Sequence, residues 1–158
     1  MTMTLQPHEV STMTSPAQRV LAFYDRLGLL PFDLLQLMSR LSLAVIFWHS
    51  GQTKLASWPL TLQLFASEYK VPVLPPEIAA TLAASVELTT PVLLVFGILT
   101  RLATLPMIGM ALTIQLFVYP ENWPDHLTWM TFLLLLLSRG PGRLSLDHVV
   151  RRQVEKRL

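Results

Sequence analysis

Six polar or aromatic side chains stand in apolar surroundings, and their types suit one kind of chemistry, the binding and protonation of a small polar group. They are Arg40, His49, Glu87, Gln115, His126 and Trp129. A carboxylate can hold a proton or pair with a cation, and an imidazole can exchange a proton near neutral pH. An amide or indole N–H can donate to a carbonyl oxygen. Together they suit the polar head of a quinone or a similar small headgroup, so quinone is the candidate cofactor. No metal site is expected, because there is no cysteine, no HxxxH spacing and no third ligand for His49 and His126 beyond Glu87 or Asp125. The absence of cysteine also excludes disulfides, CxxC centres and covalently attached c-type haem, so a redox role requires a bound carrier. No GxGxxG, P-loop, Ser-His-Asp arrangement or nucleic-acid motif occurs, and no complete catalytic motif says whether the chain is an enzyme.

The elements that position these groups follow from composition. Of 158 residues, 52% are apolar and 14% charged, and mean hydropathy is +0.48. These values exclude a disordered chain and argue against a soluble enzyme. The reading is all-α: an integral membrane four-helix bundle with spans at residues 34–52, 78–98, 102–119 and 123–138. Arg19, Arg26, Arg101, Arg139, Arg143, Arg151, Arg152, Lys156 and Arg157 then share one side, against Lys54 and Lys70 on the other. The positive-inside rule places both termini in the cytoplasm. Trp48, Trp58, Tyr69, Tyr119 and Trp123 fall near the outer ends of spans, where indole and phenol rings favour the headgroup layer. Residues 1–32 read as a cytoplasmic tail followed by an amphipathic interfacial helix over 18–30, without a signal peptide. Residues 33–140 form the membrane domain and 141–158 a basic cytoplasmic tail. The apolar outer loop over 56–76 is expected to fold onto the bundle as a lid or interfacial helix.

An ionisable group at the centre of a span costs about 2.5 to 3.5 kcal/mol, so each invites a pairing or functional explanation. Counted from the span starts, Arg40 and Glu87 differ in depth by roughly 7 Å. A buried Arg40–Glu87 pair is therefore expected, either as bundle glue or as the lining of a small cavity. Gly51 and Lys54 share the Arg40 face of span one, and Pro91 and Arg101 share the Glu87 face of span two. His49, Gln115, His126 and Trp129 lie nearer the outer surface. Pro91 after Thr89-Thr90, and Pro106 ahead of Gly109, interrupt two spans and favour a pocket. Met107 and Met110, one turn apart, read as packing.

The segment from Arg40 to Lys54, with Phe47 and Gly51 between, resembles the Arg-led first helix of the DoxX family, of which His49 is not a general feature. The stretch with Glu87, Pro91, Gly97 and Arg101 is similar to that family's second helix, and Gly140-Pro141-Gly142-Arg143-Leu144-Ser145-Leu146-Asp147 to its closing segment. The resemblance implies a four-helix inner-membrane protein with relatives linked to quinone-dependent sulfur oxidation, and it highlights Arg40, Gly51, Lys54, Glu87, Gly97 and Arg101. The expected partners are the lipid bilayer and a protein that supplies electrons, or a second copy of the chain; nucleic acid is not expected. The alternative is a non-enzymatic scaffold or accessory protein that matures another component.

Overall fold

Helix formation begins where a side chain can take over the backbone donors that an α-helix leaves unpaired. The computed structural model describes residues 15–157 except Gly28, so the tail expected at residues 1–14 lies outside the described residues. The chain divides into two units, residues 1–31 and 32–158. In the first, α1 spans Pro16–Leu27. Ser15 Oγ accepts from the Gln18 N–H at 3.2 Å and Gln18 Oε1 accepts from the Ser15 N–H at 2.8 Å, a reciprocal cap that starts the helix two residues before the position expected from periodicity. Val20, Leu21, Phe23 and Tyr24 on this helix are exposed.

The second unit is helical throughout, with no strand among the described residues. It contains α2 (Phe32–Ala56), α3 (Trp58–Leu64) running into a π-helical turn (Phe65–Tyr69), α4 (Pro76–Phe96), α5 (Thr100–Thr113) running into a second π turn (Ile114–Val118), α6 (Trp123–Arg139) and α7 (Leu146–Glu155). Helix α2 packs on α4 and α6, and α5 packs on the same two helices, so the four close around one core. Leu43, Ala44, Phe47, Leu94, Met107, Leu133 and Leu136 fill it. The outward faces are also apolar: Val45, Val92, Leu102, Leu116 and Leu127 are exposed. A surface of that kind is stable against hydrocarbon rather than water.

Four helices stand where four spans are expected, and two are long and apolar enough to cross a bilayer: Pro76–Phe96 and Thr100–Val118. Helix α2 has 25 residues, about 37 Å, but carries Asp33, Arg40 and Lys54, while α6 has 17 residues, about 26 Å. The apolar segment over 56–76, expected to fold onto the bundle as a lid or interfacial helix, is mostly helical. Its Phe65 is buried with Ala79 and Ala80 of α4, and Trp58, Leu62, Tyr69 and Val71 pack against them.

Candidate functional site

The site begins with how closely α2 and α4 approach. A Cβ at Gly51 would lie 2.9 Å from Leu88 Cδ2 and 3.1 Å from Glu87 Cβ, so the missing side chain lets the two backbones come together at this level. Lys54, one turn further along α2, then reaches across. Its Nζ donates to Glu87 Oε1 at 2.7 Å and to Ser50 Oγ at 3.1 Å, and Ser50 Oγ donates to the same carboxylate oxygen at 2.9 Å. Both charges are withdrawn from solvent, with side-chain exposure of 16% for Lys54 and 3% for Glu87. Glu87 Oε2 is buried and takes no hydrogen bond.

The counter-ion of Glu87 is thus Lys54, and the expected Arg40–Glu87 pair does not form. Arg40 precedes Gly51 by 11 residues, about 16 Å along the helix. In the antiparallel register set at Gly51, that distance places Arg40 beside the C-terminus of α4. Depth counted from the span starts missed this because α2 begins before, and runs beyond, its apolar stretch.

Arg40 instead satisfies carbonyls. Its guanidinium donates to Leu94 O at 3.0 Å, to Val95 O at 3.3 Å and to Leu144 O. The first two belong to the last turn of α4, where a cation also complements the helix dipole. The turn itself ends on Gly97 at φ +64°, with Gly97 N–H on Leu94 O and Ile98 N–H on Leu93 O, a Schellman closure. A methyl at 97 would collide with the Arg40 guanidinium and Ser145. Asp147 completes the knot: its N–H donates to Gly97 O at 2.9 Å, and its carboxylate accepts from the Leu99 and Thr100 N–H groups at 2.8 and 2.9 Å, capping α5 from 47 or 48 residues away. Gln36 donates to Gly140 O at 2.9 Å and Arg101 to Ser138 O at 3.1 Å. Residues 141–147, read as the start of a tail, are therefore bonded into the bundle.

At the Lys54 end a cavity of about 380 Å³ opens between α4 and α5. Leu82, Ala83, Val86, Pro106, Met110 and Ile114 supply apolar walls, and Ser50, Lys54, Glu87, Asp125 and His126 supply polar groups. His126 is buried, its ring tilted at 59° to that of Trp129 with centroids 5.0 Å apart, and Trp129 meets Phe47 edge-on at 5.8 Å. Its Nδ1 lies 2.7 Å from Gln115 Oε1, while the Gln115 amide nitrogen donates to Pro120 O at 2.9 Å. The carbonyl fixes the amide orientation, so Gln115 presents oxygen and His126 must donate from Nδ1. In the neutral ring that leaves Nε2 as an acceptor. Lys54 likewise has one of its three N–H donors left over. The rim is closed by the two π turns: the Tyr69 and Tyr119 rings meet edge-on at 5.8 Å, and the hydroxyl of Tyr119, just past the end of the Thr100–Val118 helix, donates to Glu68. That hydrogen bond, with burial and Tyr69 adding to it, pushes the Tyr119 phenol up, so it remains a donor at physiological pH.

The six candidate residues are therefore divided. Glu87, His126 and Trp129 line one cavity, with Gln115 orienting the histidine. His49 lines a neighbouring cavity of about 400 Å³ that shares Ser50, Lys54, Tyr69 and Trp129 with the first. Arg40 belongs to the knot at the far end of α4. Pro91 is buried inside α4, and Gly51, Gly97 and Arg101 serve close approach and capping. Ser50 escaped the sequence reading, and Tyr69 and Tyr119 were read only as aromatics of the headgroup layer rather than as the cavity rim. Asp147 carried a signal in the Ser-Leu-Asp ending, but its partners lie too far away in sequence to be read.

A family model described as DoxX matches residues 35–120, more than half of the chain. The chain belongs to the DoxX family. No curated protein and no solved structure matches it. The DoxX match takes in Arg40, Gly51, Lys54, Glu87, Gly97, Arg101 and Gln115, whereas His126, Trp129 and the Asp147 knot lie beyond it. Family membership, with two helices long and apolar enough to cross a bilayer, makes this a small membrane protein of the DoxX family.

Proposed function

We propose that this DoxX protein crosses a bacterial inner membrane four times, with both termini in the cytoplasm. In this reading it binds a quinone or similar headgroup in the Glu87–His126 cavity, as a redox-associated subunit of a partner that supplies electrons. The observation that carries the binding reading is the cavity itself: apolar walls that would take a ring and the start of a tail, with one spare donor on Lys54 and one acceptor on His126. The residues present fit such a headgroup: the Lys54 ammonium would donate to an oxygen of either redox form, and neutral His126 Nε2 would accept from a hydroxyl of the quinol form. When bound, such a group carries electrons and protons. The chain's own residues would orient it, exclude water and hold a proton at His126. Trp129 would limit how far the ring enters.

Four crossings are supported by the nine Arg and Lys residues on one side against two on the other. They are supported too by the partners each charge on α2 finds: Asp33 accepts from the Arg143 N–H at 2.6 Å, both terminal guanidinium nitrogens of Arg40 meet carbonyls, and Lys54 meets Glu87. Partnered in this way, an ionisable group is far cheaper to place in a bilayer. Purification in a mild detergent followed by solvent extraction and mass spectrometry tests the binding reading. Near-stoichiometric isoprenoid quinone is expected, and its loss on His126→Ala. Reproducible absence from the unaltered protein would leave the scaffold or accessory reading. Impermeant thiol labelling of Ser57→Cys and, separately, Val150→Cys in intact cells tests the topology; labelling at 150 but not at 57 would invert it.

A further inference from the structure

At the Arg40 end a groove of about 620 Å³ runs between the start of α2, the start of α5 and residues 139–151. Arg101, Arg139, Arg143, Arg151 and His148 line it, with Asp33 and Asp147 as the acidic residues. Both carboxylates are occupied by backbone donors: Asp33 by the Arg143 N–H, and Asp147 by the Leu99 and Thr100 N–H groups. Among the described residues the ion pairs are Lys54–Glu87 and Arg151–Glu155, so Arg101, Arg139 and Arg143 have no carboxylate partner. The side chains of Arg139 and Arg143 make no hydrogen bond there. Arg101 donates to Ser138 O and lies across Gly140, where an added Cβ would be 3.5 Å from its Nε. The groove is thus a concave site in which the basic side chains outnumber the acidic ones, and both carboxylates are already held by backbone donors. Its edge is apolar, formed by Leu99 and Leu102, exposed at 56% and 60%, and by exposed Phe32.

We infer that this groove binds the phosphate of an anionic phospholipid, with the guanidinium groups on the headgroup and an acyl chain along Phe32, Leu99 and Leu102. A free phosphate would use the arginines but leave those apolar side chains unpartnered, and a neutral lipid would leave the arginines unmatched. Planar guanidinium groups suit phosphate oxygens, and basic pockets beside spanning helices on the cytoplasmic face select anionic headgroups. The inference rests on the four-crossing topology, which the thiol labelling checks independently.

Native mass spectrometry on the full chain, released from micelles with equimolar phosphatidylglycerol and phosphatidylcholine, tests it. Phosphatidylglycerol should be retained in preference. Arg139→Gln/Arg143→Gln should cut the preference by roughly 25-fold, about fivefold per arginine. Because neither side chain holds the fold, this variant should elute and melt as the unaltered protein does. Arg152→Gln/Lys156→Gln removes the same charge outside the groove and should leave the preference intact. An unchanged preference in the groove variant, or an equal loss in the control, would overturn the site. Displacement of phosphatidylglycerol by inorganic phosphate at matching concentration would overturn the lipid as its occupant. Inverted thiol labelling with lipid preference intact would instead count against the topology alone.

Discussion

Replacing Lys54 by methionine removes one end of a pair whose other end cannot escape. Glu87 is 2% exposed, and it would keep one donor, Ser50, with Oε2 already unpartnered. Breaking a buried pair this way costs about 3–5 kcal/mol. For a chain of this size that is a fall of about 10 °C in Tm, at about 2–4 °C per kcal/mol. The reverse change is milder. In Glu87→Met the ammonium left behind sits near the end of α2 on a flexible stem and can turn outward, so about 1–2 kcal/mol is expected. Lys54→Met/Glu87→Met should melt close to the unaltered protein, since apolar replacement of both members is often neutral. Thermal unfolding of all four proteins in one detergent, followed by tryptophan fluorescence, reads the result. Equal single losses that add in the double variant would refute both the pairing and the asymmetry.

Arg40→Leu and Glu87→Leu should lower stability additively, to within about 0.5 kcal/mol, because they lie about 16 Å apart along the helices; recovery in the double variant would contradict the Gly51 register. Gly97→Ala should cost about 1–3 kcal/mol, from the left-handed backbone and the collision with Arg40 and Ser145, and an unchanged melting curve would count against the knot. Asp147→Ala leaves the Leu99 and Thr100 N–H groups without an acceptor and should cost about 1–2 kcal/mol, measured in the same way. Tyr119→Phe cuts the link to Glu68 and should speed hydrogen exchange over 65–69 and 114–118; unaltered exchange there would show that the two π turns are held by packing alone.

The helices were legible because apolar composition and periodicity are local. Lys54, Glu87 and the apolar character of 56–76 were legible for the same reason, since a charge in an apolar stretch and a run of large side chains both show in a short window. Which charge meets which was not. Pairing depends on the register between α2 and α4, set where Gly51 allows contact with Leu88, and no count along a single helix contains that information. The π turns were also invisible, since one extra residue in a turn leaves the apolar pattern nearly unchanged. His126 was found by its type, but its tautomer follows from Gln115 and Pro120, which only the fold brings beside it.

The two ends of the bundle are built from different materials, and this separates the stability of the fold from binding in the Glu87–His126 cavity. At the Arg40 end the bonds run to backbone carbonyls and N–H groups at fixed positions, around Gly97 and Gly142 at positive φ, so little can shift without unpairing a buried group. At the Lys54 end lie both cavities and both π turns, whose i→i+5 bonds, Lys70 N–H to Phe65 O at 3.3 Å and Tyr119 N–H to Ile114 O at 2.9 Å, widen the backbone around the rim. A ligand can be accommodated there by side-chain and rim movement while the other end holds the helix register. It follows that changes at Arg40, Gly97 or Asp147 should reduce the amount of folded protein without altering the ligand proposed for the Glu87–His126 cavity, whereas changes at His126 or Trp129 should alter binding in that cavity with little effect on the amount.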